Sequence, residues 1–220
     1  MRPVVTGLII TVAILVARCS SASESAAVEL PITVQIQDHS HVAPASLSSA
    51  AAVVTRMYER IGVRIKWTGV VRWKGEHATF DHREETSHAA IGQLTIIILN
   101  AKMAARGQVK EGVLGFAAVA DEGMGRIAYA IYDRVRSIAL ELPINEADLL
   151  GFVMAHEIGH LMLPRRSHST SGLMKSDWDI HDLERVDLLK LQFSEQQAAQ
   201  IRATIENESS RILARATPRR

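Results

Sequence analysis

The chain has 220 residues, 47% of them hydrophobic, and a formal net charge of +1. This is the composition of an ordinary globular domain, and a chain of this length buries roughly 70% of its unfolded surface, enough for a core without staples. The near-neutral balance argues against nucleic acid as the main partner, because phosphate binding needs a dense basic face.

The first segment, "MRPVVTGLIITVAILVARCSSASES", has a positive start at Arg2, an apolar run from Val4 to Ala17, and small residues after it. That layout is the one expected of a secretory signal peptide over residues 1–22, with cleavage after Ala22. The apolar run is short for a membrane-spanning helix, which needs roughly 20 such residues. The expected destination is therefore secreted or periplasmic, with an uncleaved membrane anchor as the alternative. Lipidation at Cys19 ranks below both, because Arg18 stands where a lipobox wants Gly or Ala. Cys19 is the only cysteine, so a processed chain has no disulfide and no thiolate ligand or nucleophile.

Beyond the leader, "ELPITVQIQD" alternates from Ile32 to Gln37 and predicts a strand. "PASLSSAAAVVTRMYERIG" predicts a helix from Ala45 to Ile61 that stops at Gly62. "VRIKWTG" gives a second strand, and residues 72–90 are polar and irregular. "LTIIIL", Leu94 to Leu99, is an unbroken apolar run, as in a strand covered on both faces. "GFAAVADEGMGRIAYAIYDRV" predicts a hairpin turning between Glu122 and Gly125. A helix then starts at Asn145, a capping residue with Glu146 and Asp148 in the first turn, and ends at Pro164. Its apolar residues lie on all sides, so it belongs in the interior. Ser194 and Gln197 form a capping box that opens a C-terminal helix. The basic end, residues 208–220, reads as a frayed, solvated tail.

The interior helix carries "HEIGH". His156 and His160 are four residues apart, so on a helix they project from one face a turn apart. Two imidazoles so placed can meet one zinc ion at about 2.0–2.1 Å. Glu157 stands beside them, off the metal axis, where it can accept a proton from an activated water. Unpaired His and Glu on a buried helix are costly to desolvate, which weighs against a merely structural core pair. A catalytic zinc takes three protein ligands and keeps an open position, so a third must come from elsewhere. His168 stands in the best position. Glu184, His181 and Asp177 are the alternatives, each equally at home in a solvated, charged helix start. His39, His41, His77, His82 and His88 read as loop or surface residues.

These residues resemble the metzincin metallopeptidases. His156, Glu157 and His160 match that family's helical motif, "SHS" offers His168 as third ligand, and "SGLM" offers Met174 for the methionine turn. "GVLGFAAVADEGMG" is similar to the upper edge-strand region of the matrixin branch, with Leu114, Gly115, Phe116, Ala117 and Ala118 as the edge. The resemblance implies an α/β (α+β), zincin-like single domain over residues 28–207. It implies a mixed twisted sheet, an active-site helix, a methionine turn and a C-terminal helix. It also implies one catalytic Zn2+, Glu157 as general base, and a peptide or protein substrate, with a membrane partner only if the leader is retained. The chain departs from the pattern in two places. Leu163 holds the position of a glycine, and His168 follows His160 by eight residues where the family has six. The family's propeptide cysteine switch has no counterpart in a processed chain, and the matrixin calcium and structural zinc sites are not carried over. Some relatives stabilise the oxyanion with a tyrosine after the methionine turn. Here Trp178 is the nearby, weaker donor. The competing expectation is an envelope or secreted protein that binds zinc on this scaffold without turnover.

Overall fold

The computed structural model describes residues 30–72, 93–120, 123–142, 144–179, 182–183 and 191–216. The expected leader, the loop histidines His77, His82 and His88, and the ligand candidates His181 and Glu184 lie outside those residues. No helix among the described residues is long and apolar enough to cross a membrane.

The domain is built on one five-stranded mixed sheet. Strand β1 (Leu30–Asp38) alternates as its sequence requires, burying Ile32, Val34 and Ile36 on one face. It pairs in parallel with β2 (Val63–Arg72) on one side and β3 (Gln93–Leu99) on the other. β5 (Ile127–Ile131) continues the parallel set, and β4 (Gly115–Ala118) closes the sheet antiparallel to it, giving the order β2-β1-β3-β5-β4. The hairpin of the sequence is therefore this β4–β5 pair, and β4 is an edge strand. β3 corrects one expectation. Leu94, Ile96 and Ile98 are buried, but Thr95 and Ile97 are half-exposed, so among the described residues the strand is fully covered on one face only.

That covered face carries two helices. α1 (Pro44–Glu59) starts with proline at its first turn, where the missing N–H costs nothing. α4 (Glu146–Met162) is capped by Asn145, whose side-chain oxygen accepts from the backbone N–H groups of Ala147 and Asp148. The two helices pack on each other, and the fully buried Tyr58 of α1 donates its hydroxyl to the Ala155 carbonyl of α4 at 3.0 Å. As its all-round apolar sequence predicts, α4 is buried along nearly its whole length.

Two short helices escape the sequence pattern. α2 (Ala101–Arg106) is a single capped turn and a half, held by Asn100 accepting from the N–H of Met103. α3 (Tyr132–Glu141) replaces the end of the predicted hairpin strand. The alternation of "IAYAIY" carries the strand reading past Ile131 to Val135, and the helical period only shows once Val135 and Ile138 turn inward.

The C-terminal helix α5 (Glu195–Ala216) begins at the capping box. Ser194 N–H donates to Gln197 Oε1, and Gln197 N–H donates back to Ser194 Oγ. The helix runs to Ala216, beyond the boundary expected at 207. Arg126 pairs with Glu208 across to the β4–β5 turn region and ties that extension to the domain.

Candidate metal centre

α4 ends where the first departure from the family pattern lies. The Leu163 N–H closes the last turn onto the Gly159 carbonyl, and Thr204 of α5 donates to the Met162 carbonyl at 2.8 Å. Leu163 itself is extended (φ −98°, ψ 155°), the conformation that the following Pro164 favours, and its side chain is buried. No glycine is required there. The left-handed residue comes three positions later, at Arg166 (φ 61°). The two extra residues of "PRRS" thus move the reversal down the loop, and His168 returns to the helix.

The result is a convergent set of imidazoles. His160 Nε2 lies 3.0 Å from His156 Nε2 and 3.0 Å from His168 Nε2, and the three donor atoms all lie within 4.8 Å of one another. Three nitrogens at about 2.0–2.1 Å from a tetrahedral zinc stand roughly 3.3 Å apart, so the set fits such an ion with small adjustments. It is the only group of three or more metal-ligating side chains among the described residues. His39, at the end of β1, and His41 take no part in it. Asp177 lines the neighbouring cleft but is not in the group.

The second nitrogens explain the orientation. His156 Nδ1 faces the Leu173 carbonyl at 2.7 Å. A carbonyl can only accept, so Nδ1 carries the proton and Nε2 keeps its lone pair for a metal. His160 Nδ1 meets Ser167 Oγ at 3.2 Å, and with the hydroxyl as acceptor its Nε2 keeps a lone pair as well. Burial pushes His156 down to about 4, partly countered by the Leu173 carbonyl. Burial, then the neighbouring His156 and His168, push His160 down to about 3. Both rings are therefore neutral at pH 7, the form that binds metal.

Met174 packs against α4 at Gly159 and is fully buried. Its sulfur sits 3.0 Å from where a Cβ on Gly159 would be, so the glycine in "HEIGH" leaves room for it. Gly172 has φ 77°, and a Cβ there would meet the Gln192 carbonyl at 2.6 Å. Only glycine makes this turn without strain, which places Leu173 and Met174 under the helix.

Glu157 is 6% exposed, and burial raises its carboxyl to about 8. It faces the edge strand. A Cβ on Gly115 would stand 2.7 Å from Glu157 Cγ, 2.8 Å from its Oε1 and 2.7 Å from the Tyr129 carbonyl. Glycine at 115 is what lets β4 lie against the carboxylate, a role that the sequence pattern alone did not single out. The segment leading into β4 is held by Arg134, which donates to the carbonyls of Lys110, Val113 and Val109 at 2.7, 2.6 and 3.1 Å.

Between β4 and the histidines runs a cleft of about 780 Å³. Leu114, Gly115, Phe116 and Ala117 form one wall, and Ala118 ends the strand beyond it. Val153, Ile138, Leu183 and Trp178 give the cleft an apolar side, while all three histidines and Glu157 border it. Trp178 sets its ring edge against His156, with centroids 5.5 Å apart. Its indole N–H is shut off from solvent and has no hydrogen-bond partner among the described residues. In this conformation the indole ring borders the cleft and braces His156, while its N–H is buried.

No family model and no curated protein matches the chain. Solved structures do. An archaemetzincin from Methanopyrus kandleri matches with a TM-score of 0.48 and 14% identity, over 80% of this chain and 96% of that one. A zinc-dependent peptidase from Methanocorpusculum labreanum matches with a TM-score of 0.48 and 12% identity, over 76% and 99%. Metalloproteinase-II from Bacteroides fragilis matches with a TM-score of 0.49 and 11% identity, over 83% of this chain and 55% of that one. With so few identical residues and TM-scores below 0.5, these similarities assign no role to individual side chains.

Proposed function

We propose that the chain is an exported zinc-dependent endopeptidase of metzincin type. One observation carries the reading. Three imidazole nitrogens converge at one end of a cleft whose border also holds a buried carboxylate, and whose wall is an edge strand. The donor set, three imidazoles of which His156 and His160 have their second nitrogens engaged, is one that zinc favours.

His156, His160 and His168 would hold the ion, which when bound supplies Lewis acidity toward a carbonyl and a lowered pKa for water. Glu157 accepts the proton of the attacking water and passes it to the leaving nitrogen of the peptide. Its place on the cleft border beside the histidines suits both halves of that task. β4 offers its free edge to an extended peptide, which would pair with it by strand addition and lie across the site. Phe116, stacked on Tyr129 at 4.4 Å, stiffens that edge. Export rests on the composition of residues 1–22 alone.

Hydrolysis of casein or a peptide library, with and without a chelator, tests the reading. Chelator-sensitive cleavage is expected, and Glu157→Gln should lower turnover by about 10²–10⁴-fold while zinc stays bound. One zinc per chain with no cleavage of any peptide would favour the alternative, a zinc-binding protein of the envelope or exterior without turnover.

A further inference from the structure

The third ligand presents a problem of support. His156 and His160 stand on a buried helix, but His168 is exposed and comes from a loop with a left-handed arginine. Something has to fix that loop. The geometry points to Gln197, the capping residue of α5, as the positioning residue for the His168 side of the metal centre. The inference rests on the proposed function only for the identity of the metal.

Gln197 is 7% exposed and its side chain works in two directions. Its Oε1 accepts from the Ser194 N–H at 2.9 Å, which completes the helix cap. A backbone N–H can only donate, so this contact fixes which end of the amide is oxygen. The Nε2 end therefore points the other way, into the ligand loop. There it donates to the Ser167 carbonyl at 3.3 Å and to Ser169 Oγ at 3.3 Å, one residue on each side of His168. Ser169 Oγ is free to accept, because its own proton goes to the Ser171 carbonyl at 2.8 Å.

The same amide reaches the second ligand. Ser167, whose carbonyl Gln197 holds, presents its hydroxyl to His160 Nδ1. Ser169 is also tied to the methionine turn, since its N–H donates to the Met174 carbonyl at 2.8 Å. One buried amide thus connects the first turn of α5 to the loop that carries His168, through Ser167 to the ring of His160, and through Ser169 to the backbone at Met174. Partners of this kind, behind the ligands, typically set 10–100-fold in metal affinity. The glycine missing at 163 and the longer spacing to His168 find their counterpart here, in a loop anchored from outside.

A glutamine that merely caps α5 and one that positions His168 give different results in two substitutions. Gln197→Glu keeps an acceptor for the Ser194 N–H, as in the usual capping box, but deletes both donors to the loop. Ser194→Ala deletes the cap hydroxyl and leaves the Gln197 amide in place. For each variant and the wild type, the zinc dissociation constant is measured by competition with a fluorescent chelator, and the melting temperature is measured without metal. Gln197→Glu should weaken zinc binding about 10–100-fold. Ser194→Ala should lower the metal-free melting temperature by a few degrees and leave the zinc constant close to that of the wild type. The proposal is overturned if Gln197→Glu binds zinc as tightly as wild type, or if Ser194→Ala weakens it as much as Gln197→Glu does. A wild-type protein that takes up no zinc while still binding another divalent ion through these histidines would instead refute the zinc reading, and the same comparison would then be made with that ion.

Discussion

His156 and His160 ride on a helix that is buried from Leu149 to Met162 with His160 alone partly open, whereas His168 is exposed on a loop between Leu163 and Met174. On the helix side, orientation follows from packing. The ring positions are set by an i, i+4 spacing, the α1–α4 contact and the Leu173 carbonyl. On the loop side it follows from a few polar contacts, with Gln197, Ser167 and Ser169 doing what a packed face does elsewhere. A buried helix tolerates little change in volume, while a tethered loop can absorb two additional residues and still deliver its ligand.

The comparison can be broken at the joint between the two regions. Leu163 ends α4, is 4% exposed, and is extended ahead of Pro164. Leu163→Gly would install the residue found at this position in the resembling family. Here it should destabilise the protein by about 3 kcal/mol, because it removes a buried side chain and frees the backbone without any left-handed turn to serve. Denaturant unfolding measures this, and a stabilised variant would mean that the helix exit is strained as it stands.

A smaller effect isolates the cost of the helix side. Burial raises the carboxyl of Glu157 to about 8, whereas in the unfolded chain it titrates near 4.5. Between those values the metal-free folded state holds a proton that the unfolded state has lost, so stability falls as pH rises through that window. Glu157→Gln removes the dependence. The metal-free variant should gain on metal-free wild type as pH increases, by roughly 2 kcal/mol between pH 5 and pH 7. The histidines contribute equally to both proteins and drop out of the difference. A gap that stays constant over this range would show that the carboxylate is better solvated than its burial implies.

The loop side should show the smallest response. Arg166→Gly relieves the left-handed backbone at φ 61°, but it also frees the unfolded chain, so stability should change by less than about 1 kcal/mol with zinc binding unaltered. A large loss of zinc in this variant would mean that the arginine side chain itself holds the loop.

The helix side was legible in the sequence because its signals are local and periodic. An Asn145 cap, an apolar surround and two histidines a turn apart are readable within one window of residues. Parallel β1–β3 and the β4–β5 pair were legible as strands for the same reason, but their order was not, since registers such as Thr33 against Gln93 join residues far apart in the chain. α2 is too short to show a helical period, and α3 follows strand alternation with no punctuation at Ile131. His168 was singled out by its place between the helix and "SGLM", and the fold brings it beside His160. Its supports were not. Gln197 is visible in sequence as a capping residue, but nothing local announces that its other end reaches back thirty positions to Ser167. Gly115 was likewise readable as part of a strand, and only the fold sets it against Glu157.

Zinc content after dialysis of purified wild type and of His168→Ala tests the account most directly. With three histidines converging on one ion, wild type should retain one zinc per chain and His168→Ala should lose it, while both keep the same folded core, because two imidazoles are too few to hold a catalytic zinc. A His168→Ala protein that still carries one zinc per chain would contradict the account and return the third ligand to a residue such as Glu184.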